Sequence, residues 1–145
     1  MIRIATICLL LLTACGHART EDGRILIKDD NGGLIAEYEK TRVKLSSDPA
    51  GVALCGAIVS AATIFVSLPN ACSCPYALFY FHGSTKSFRY SPEGTAIMAS
   101  YYPEPLKSWY LREASHLMLT DHATLTARKL DDMDILEICR FSSVN

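Results

Sequence analysis

The chain has 145 residues, half of them apolar, and its charged residues, 20% of the total, nearly cancel to a net charge of −1. That length supports one compact domain and not comfortably two. Lys and Arg are scattered among acids with no basic run, which excludes the electrostatic footprint of a nucleic-acid binder.

The N-terminal "MIRIATICLLLLTAC" joins a short leader carrying Arg3 to an uncharged apolar stretch from Ile4 to Leu12, the pattern of a secretory signal over residues 1–14. The run is short for a membrane span of about 20 residues. Its last four residues, "LTAC", resemble the lipobox of bacterial lipoproteins, in which the cysteine thiol is lipidated and becomes the new N-terminus. That resemblance implies lipidation at Cys15 and attachment to a membrane of the bacterial cell envelope through the lipid. Gly16 after the cysteine, where an acidic residue would point elsewhere, implies the outer membrane, facing the periplasm. Residues 15–23 are polar and small and suit a tether. A single domain over 24–140 and a tail over 141–145 complete the division.

Within the domain, "RILIKDD" predicts a strand and "NGG" at 31–33 its turn. From Leu34 the apolar residues Leu34, Ile35, Tyr38, Val43 and Leu45 fall near helical spacing, with Glu37, Glu39, Lys40 and Lys44 opposite. "SSDPAG" breaks that helix, and "VALC" predicts a second strand ending at Gly56. Pro49 to Phe81 contains no charged residue; rich in small residues and stopped by "LPN", it reads as a buried strand and helix joined by a small-residue turn. "PYALFYFHG" predicts a strand covered on both faces that delivers His82 at its end. Ser91 caps a helix with Pro92 at its first position and Glu93 in its first turn. "PLKSWYLREA" predicts another helix, with Leu106, Trp109, Tyr110 and Ala114 inward. "HLMLTDH" reads as a short strand or edge, "TLTARKLDDM" as a capped short helix and "DILEIC" as a last strand. Alternating strands and helices predict an α/β fold.

Besides Cys15, the exported chain keeps Cys55, Cys72, Cys74 and Cys139. In an oxidising compartment four cysteines allow two disulfides in three connectivities, and the sequence does not choose among them; Cys72 and Cys74 are not expected to pair with each other. The spacing of Cys72, Cys74, His82 and Cys139 is wrong for the usual zinc knuckle, so no metal is expected. No cofactor is expected either, because the phosphate-cradling and dinucleotide-binding glycine signatures are absent.

Four separated pieces carry the candidate chemistry. Gly32–Gly33 after the first strand can turn a backbone N–H outward to bind an oxyanion, although an ordinary strand-to-helix turn looks the same. Ser60, four residues after Gly56 and at the start of an apolar helix, lies among free N–H groups, as a simple N-cap would. His82 at a strand mouth can take a serine proton or merely cap the strand. Asp121 in "LTDH" can orient an imidazole or serve a turn.

The order of "ILIKDDNGG", "VALCGAIVSAA", "CPYALFYFH" and "TDHATLTARKL" resembles the proteolytic subunit of Clp protease and its Clp/crotonase relatives, over roughly residues 24–139. The resemblance implies a single small domain built as a repeated β-β-α spiral. It makes Ser60 the nucleophile, His82 the general base and then acid, Asp121 the third member, and the N–H groups of Gly33 and Ala61 the oxyanion hole. Two departures stand out: Asn31 replaces the family's proline before the glycines, and by distance from "TLTA" it is His122 that aligns with the family aspartate. The resemblance thus implies an envelope lipoprotein acting as a serine hydrolase or peptidase on peptide or protein substrates. The N-terminal segment that docks an unfolding ATPase is replaced by the lipid anchor, so the activity expected is independent of ATP. The alternative is a catalytically inactive Clp-like binding or structural lipoprotein. A crotonase-type acyl-CoA enzyme, which uses two backbone amides and no serine, fits an envelope location poorly.

Overall fold

The structure, a computed structural model, describes residues 18–118 and 120–141. The signal-like segment, the lipidation candidate Cys15 and the residues after Phe141 lie outside the described residues. Among those described, no helix is long and apolar enough to cross a membrane.

The chain is mixed α/β. Strand β1 (Ile25–Asp30) leads through the Gly32–Gly33 turn into α1 (Ile35–Ser46) and returns as β2 (Val52–Val59), parallel to β1. A parallel return needs a crossover of a dozen or more residues, which α1 supplies. A 3-10 helix (Ser60–Ser67) starts directly at the end of β2. Then β3 (Ala71–Ser73) and β4 (Leu78–Phe81) pair, both parallel, with successive parts of β2. A small hairpin, β5 (Thr85–Lys86) and β6 (Arg89–Tyr90), precedes α2 (Pro92–Ser100) and α3 (Leu106–Glu113). Finally β7 (Ala123–Thr126) runs antiparallel to β4 and feeds α4 (Ala127–Asp132). The main sheet therefore runs β1-β2-β4-β7, with β3 beside β2.

The core lies on one side of this sheet, where Val52, Leu54, Ile58, Phe79 and Phe81 meet Phe65, Leu106, Tyr110 and Leu130. Each such side chain contributes about 1.5–3 kcal/mol by leaving water. On the other side, Ala53, Cys55, Cys72 and Cys139 form a smaller cluster under the C-terminal segment. Cys55 pairs with Cys74 and Cys72 with Cys139, at Cα separations of 4.9 and 5.0 Å. Neighbouring Cys72 and Cys74 thus each reach a distant partner.

Several sequence expectations shift by a few residues. The second strand does not stop at Gly56 but runs on to Val59, and Gly56 at φ 68° belongs to a bulge where the register with β1 slips between Lys28 and Asp30. A Cβ at Gly56 would collide with the Asp29 carboxylate, which accepts a hydrogen bond from the Ala57 N–H at 3.0 Å. β4 is not covered on both faces: Phe79 and Phe81 are buried, but Leu78 is exposed and Tyr80 half-exposed. Leu34 and Val43, placed inward by helical spacing, are 76% and 68% exposed; α1 is a surface helix that buries Leu45. "HLMLTDH" is no strand among its described residues; the strand is the "ATLT" that follows, and helix α4 starts only after it, capped by Thr126. The segment "DILEIC" forms an isolated bridge, Ile138 with Ser73, instead of a strand. By contrast, Ser91 caps α2 through its Oγ, which accepts from the Gly94 N–H at 3.1 Å, as its sequence predicts.

Candidate active site

Ser60 occupies the junction of β2 and the 3-10 helix. Val59 before it is extended, with φ −120° and ψ 142°, whereas Ser60 itself is left-handed, at φ 56°. A non-glycine residue in that region carries strain on the order of 1–3 kcal/mol and persists only where its surroundings hold it. Here they do so through Thr63, whose hydroxyl donates to the Ser60 carbonyl at 2.6 Å. That leaves the Thr63 oxygen to accept from the buried Tyr102 hydroxyl, 2.7 Å away. The resulting sharp turn lifts the Ser60 side chain out of the sheet at the start of a helix, where unpaired N–H groups give a partly positive field.

The Gly32–Gly33 turn packs directly against this elbow. Gly32 has φ 76°, and a Cβ built on it would lie 2.6 Å from the Val59 carbonyl oxygen, 2.8 Å from Ser60 Cβ and 3.1 Å from the Ala61 nitrogen. Asp30 shapes the turn from below, accepting from the Gly32 N–H at 2.9 Å and from the Tyr38 hydroxyl. The Gly33 N–H has no acceptor among the described residues. Ala61 lies in the first turn of the 3-10 helix, where N–H groups have no partner within the helix. Gly32→Ala is expected to lower stability by about 2–4 kcal/mol, because backbone atoms, not a flexible side chain, stand in the way. Urea unfolding measures it, and unchanged stability would show that the turn can move off the elbow.

His82 arrives from β4. Phe81 packs edge-on against Trp109, Tyr102 and Tyr110, at ring separations of 5.3, 5.6 and 6.5 Å. The Tyr110 hydroxyl then donates to the His82 carbonyl at 3.1 Å, and the Gly83 N–H donates to the Leu117 carbonyl at 2.9 Å. The strand end is thereby fixed from α3 and from the loop beyond it. The His82 ring is 5% exposed, and its Nδ1 lies 2.7 Å from the Gly83 carbonyl oxygen. A carbonyl can only accept, so Nδ1 carries the proton and Nε2 keeps its lone pair, the tautomer a general base needs. Burial holds the imidazole below its ordinary titration range; the Gly83 hydrogen bond opposes this and the nearby His122 adds to it.

Ser60, His82 and Gly33 line one cavity of about 260 Å³, together with Gly32, Ile35, Val59, Thr85 and Met98 among others. Asp121 is exposed and is not part of that lining; its N–H donates to the Met118 carbonyl at 2.6 Å. His122, the next residue, does line the cavity. Sequence reasoning does not single out Thr63, Tyr102 or Asp30 as supports of the site. Their spacing from Ser60 and the glycines carries a local signal for Thr63, as the i+3 hydroxyl of a capping turn, but none for Tyr102.

A larger cleft of about 610 Å³, bounded by Arg42, Tyr101, Asp134 and Glu137, contains none of Ser60, His82, His122 and the paired glycines. No three His, Cys, Asp or Glu side chains among the described residues are grouped to hold a metal ion. In comparisons with known proteins, no family model matches the chain and no curated protein shows significant similarity to it.

Proposed function

We propose that this chain is a serine hydrolase, most specifically a peptidase of Clp-like type, that works without ATP. The observation that carries the reading is Ser60, held in a left-handed conformation at a strand-to-helix junction and sharing a cavity with a buried histidine whose Nε2 is free to accept a proton. Nothing in ordinary turn chemistry favours a serine over a glycine at that backbone position.

In the reaction, Nε2 of His82 takes the Ser60 proton as Oγ bonds to the carbonyl carbon of the substrate. The negative charge on the carbonyl oxygen is met by the N–H groups of Gly33 and Ala61. The bond to the leaving group then breaks, and His82 returns the proton to that group. Water repeats the sequence: it gives a proton to His82, its oxygen bonds to the acyl carbon, and the Oγ–carbon bond breaks as Ser60 regains its proton. The parallel β1, β2 and β4 with helical crossovers between them support a Clp/crotonase-like spiral as the finer description of the fold. Two cysteine pairs at disulfide distance support an oxidising compartment; attachment to the outer membrane through lipidated Cys15 is part of the same proposal and rests on the "LTAC" sequence alone.

One observation favours the other reading, a catalytically idle binding lipoprotein of the same fold: among the described residues, no carboxylate lines the cavity. The two part in a single experiment. A fluorophosphonate probe is expected to modify the folded protein once, with the adduct located at Ser60 by mass spectrometry. No adduct, or one elsewhere, would leave the idle domain as the reading.

A further inference from the structure

The base at His82 has no carboxylate beside it, but it does have a second imidazole. The His122 ring lies 5.5 Å from that of His82, with the planes 73° apart, and its other side meets the Tyr80 ring at 5.8 Å and 79°. Three rings thus stand edge to face in a row, Tyr80 at the outward face of β4, His122 on the approach to β7, and His82 at the cavity. Nδ1 of His82 is already bonded to Gly83, so His122 cannot be the hydrogen-bonding partner there. Its contact with His82 is through ring packing and charge.

We propose that His122 is the positioning residue of this site, fixing the His82 ring from the side that the Gly83 carbonyl leaves open, in the place that the family resemblance gives to Asp121. The assignment rests on the serine-hydrolase reading and changes what the site does with protons. An aspartate in the third position would stabilise the imidazolium that forms on His82; a second imidazole, if charged, opposes it. A positive charge on one ring disfavours one on the other, so His122 opposes protonation of His82.

Among the described residues lining the cavity, His82 and His122 are the ones whose side chains can carry a charge. Among the described residues, the elements packed around His82 bring no other charge to its ring. Tyr80 comes from its own strand, α3 brings the Tyr110 hydroxyl to its carbonyl, and β6 brings Tyr90 against Gly83. From the turn and the helices, Asn31, Ile35 and Met98 are uncharged. A change at His122 is therefore read by His82 without competition from a nearby acid or base.

The test compares His122→Ala, His122→Phe and Asp121→Asn in the full exported chain, by the rate of Ser60 labelling with a fluorophosphonate and by NMR titration of the His82 ring. His122→Ala is expected to label about ten- to a hundredfold more slowly, the effect of a base ring that is no longer held in line. His122→Phe keeps the packing and is expected to restore the rate near pH 8. Because it cannot carry a charge, it should raise the midpoint of the His82 titration. The acid limb of labelling should move up with it. Asp121→Asn is expected to stay within about twofold of the unaltered chain, as for an exposed group outside the reacting geometry. Slow labelling in Asp121→Asn, or wild-type behaviour of His122→Ala with an unmoved His82 titration, would overturn the assignment. If the unaltered chain is not labelled at all, the hydrolase reading fails by itself; an unmoved His82 titration in His122→Phe then overturns the coupling of the two rings as well.

Discussion

Replacing His82 by alanine is expected to slow acylation of Ser60 by about 10²–10⁴-fold, the usual contribution of a positioned general base. A serine hydroxyl does not ionise near neutral pH, and His82, which lines the same cavity, keeps a lone pair on Nε2 while Nδ1 is bonded to Gly83. The loss should fall on the acylation rate at saturating probe, with little change in binding, since the imidazole acts on the proton that moves. Thermal unfolding of the variant separates this from damage to the fold, because the ring is buried. The pH profile gives a second reading of the same group. Burial lowers the His82 titration range, so the base remains neutral and labelling persists at lower pH than for a solvent-exposed imidazole. Stability shifts with the same group: the unfolded chain binds the proton first, so the stability associated with His82 is full above the unfolded value. It declines as the pH falls through the folded one.

Removing the Cys72–Cys139 disulfide, by serine at both positions, is expected to cost about 4 kcal/mol, and removing Cys55–Cys74 about 3 kcal/mol. The difference arises from sequence separations of 67 and 19 residues, since the longer loop loses more freedom in the unfolded chain. Cys72–Cys139 also has a local task. It holds the segment after α4 against β3, beside a Ser73–Ile138 bridge and backbone hydrogen bonds of 2.8 Å from the Ser73 N–H to Glu137 and from the Cys139 N–H to Ser73. Without the covalent link that short bridge remains to cover the outer cluster around Ala53. Guanidinium unfolding of the double-serine variants, with the reduced unaltered chain alongside, measures both costs. Equal losses for the two pairs would show that native-state contacts, and not loop entropy, set them.

Much of the fold is legible from local chemistry. Most of the charge-free run from Pro49 to Phe81 is buried, with Pro69, Pro75, Tyr76 and Leu78 among its exposed residues, and the Ser91-Pro92-Glu93 start of α2 follows from capping alone. The C-terminal third is less legible. Thr124 and Thr126 face solvent and Leu125 faces the core, a period-two pattern only four residues long that a helical "TLTARKL" reading absorbs. What decides it is the antiparallel pairing of β7 with β4, from Leu78 with Thr126 to Phe81 with Ala123, which is a tertiary fact. The candidate site divides in the same way. Ser60, His82 and the paired glycines each have an ordinary turn or capping reading, and it is the order of their segments that singles them out as candidates. Whether Asp121 or His122 faces His82 depends on how the chain enters β7, and neighbouring positions on an irregular approach carry no periodicity to tell them apart.

The left-handed backbone at Ser60 has a consequence for the whole molecule. Glycine would adopt φ 56° freely, whereas serine there costs about 1–2 kcal/mol, set against a total stability on the order of 5–15 kcal/mol for a domain. The same turn forbids any side chain at Gly32, and the bulge with its own left-handed glycine lies four residues upstream on β2. Left-handed backbone at non-glycine residues also occurs at Asp29, Ser87, Phe88 and Asp134, so Ser60 is one of several such points, and Asp29 faces the Gly56 bulge beside disulfide-bonded Cys55. The Cys55–Cys74 link closes beside that bulge, on the same strand that ends at Val59, so a covalent tie braces the strand that feeds the elbow.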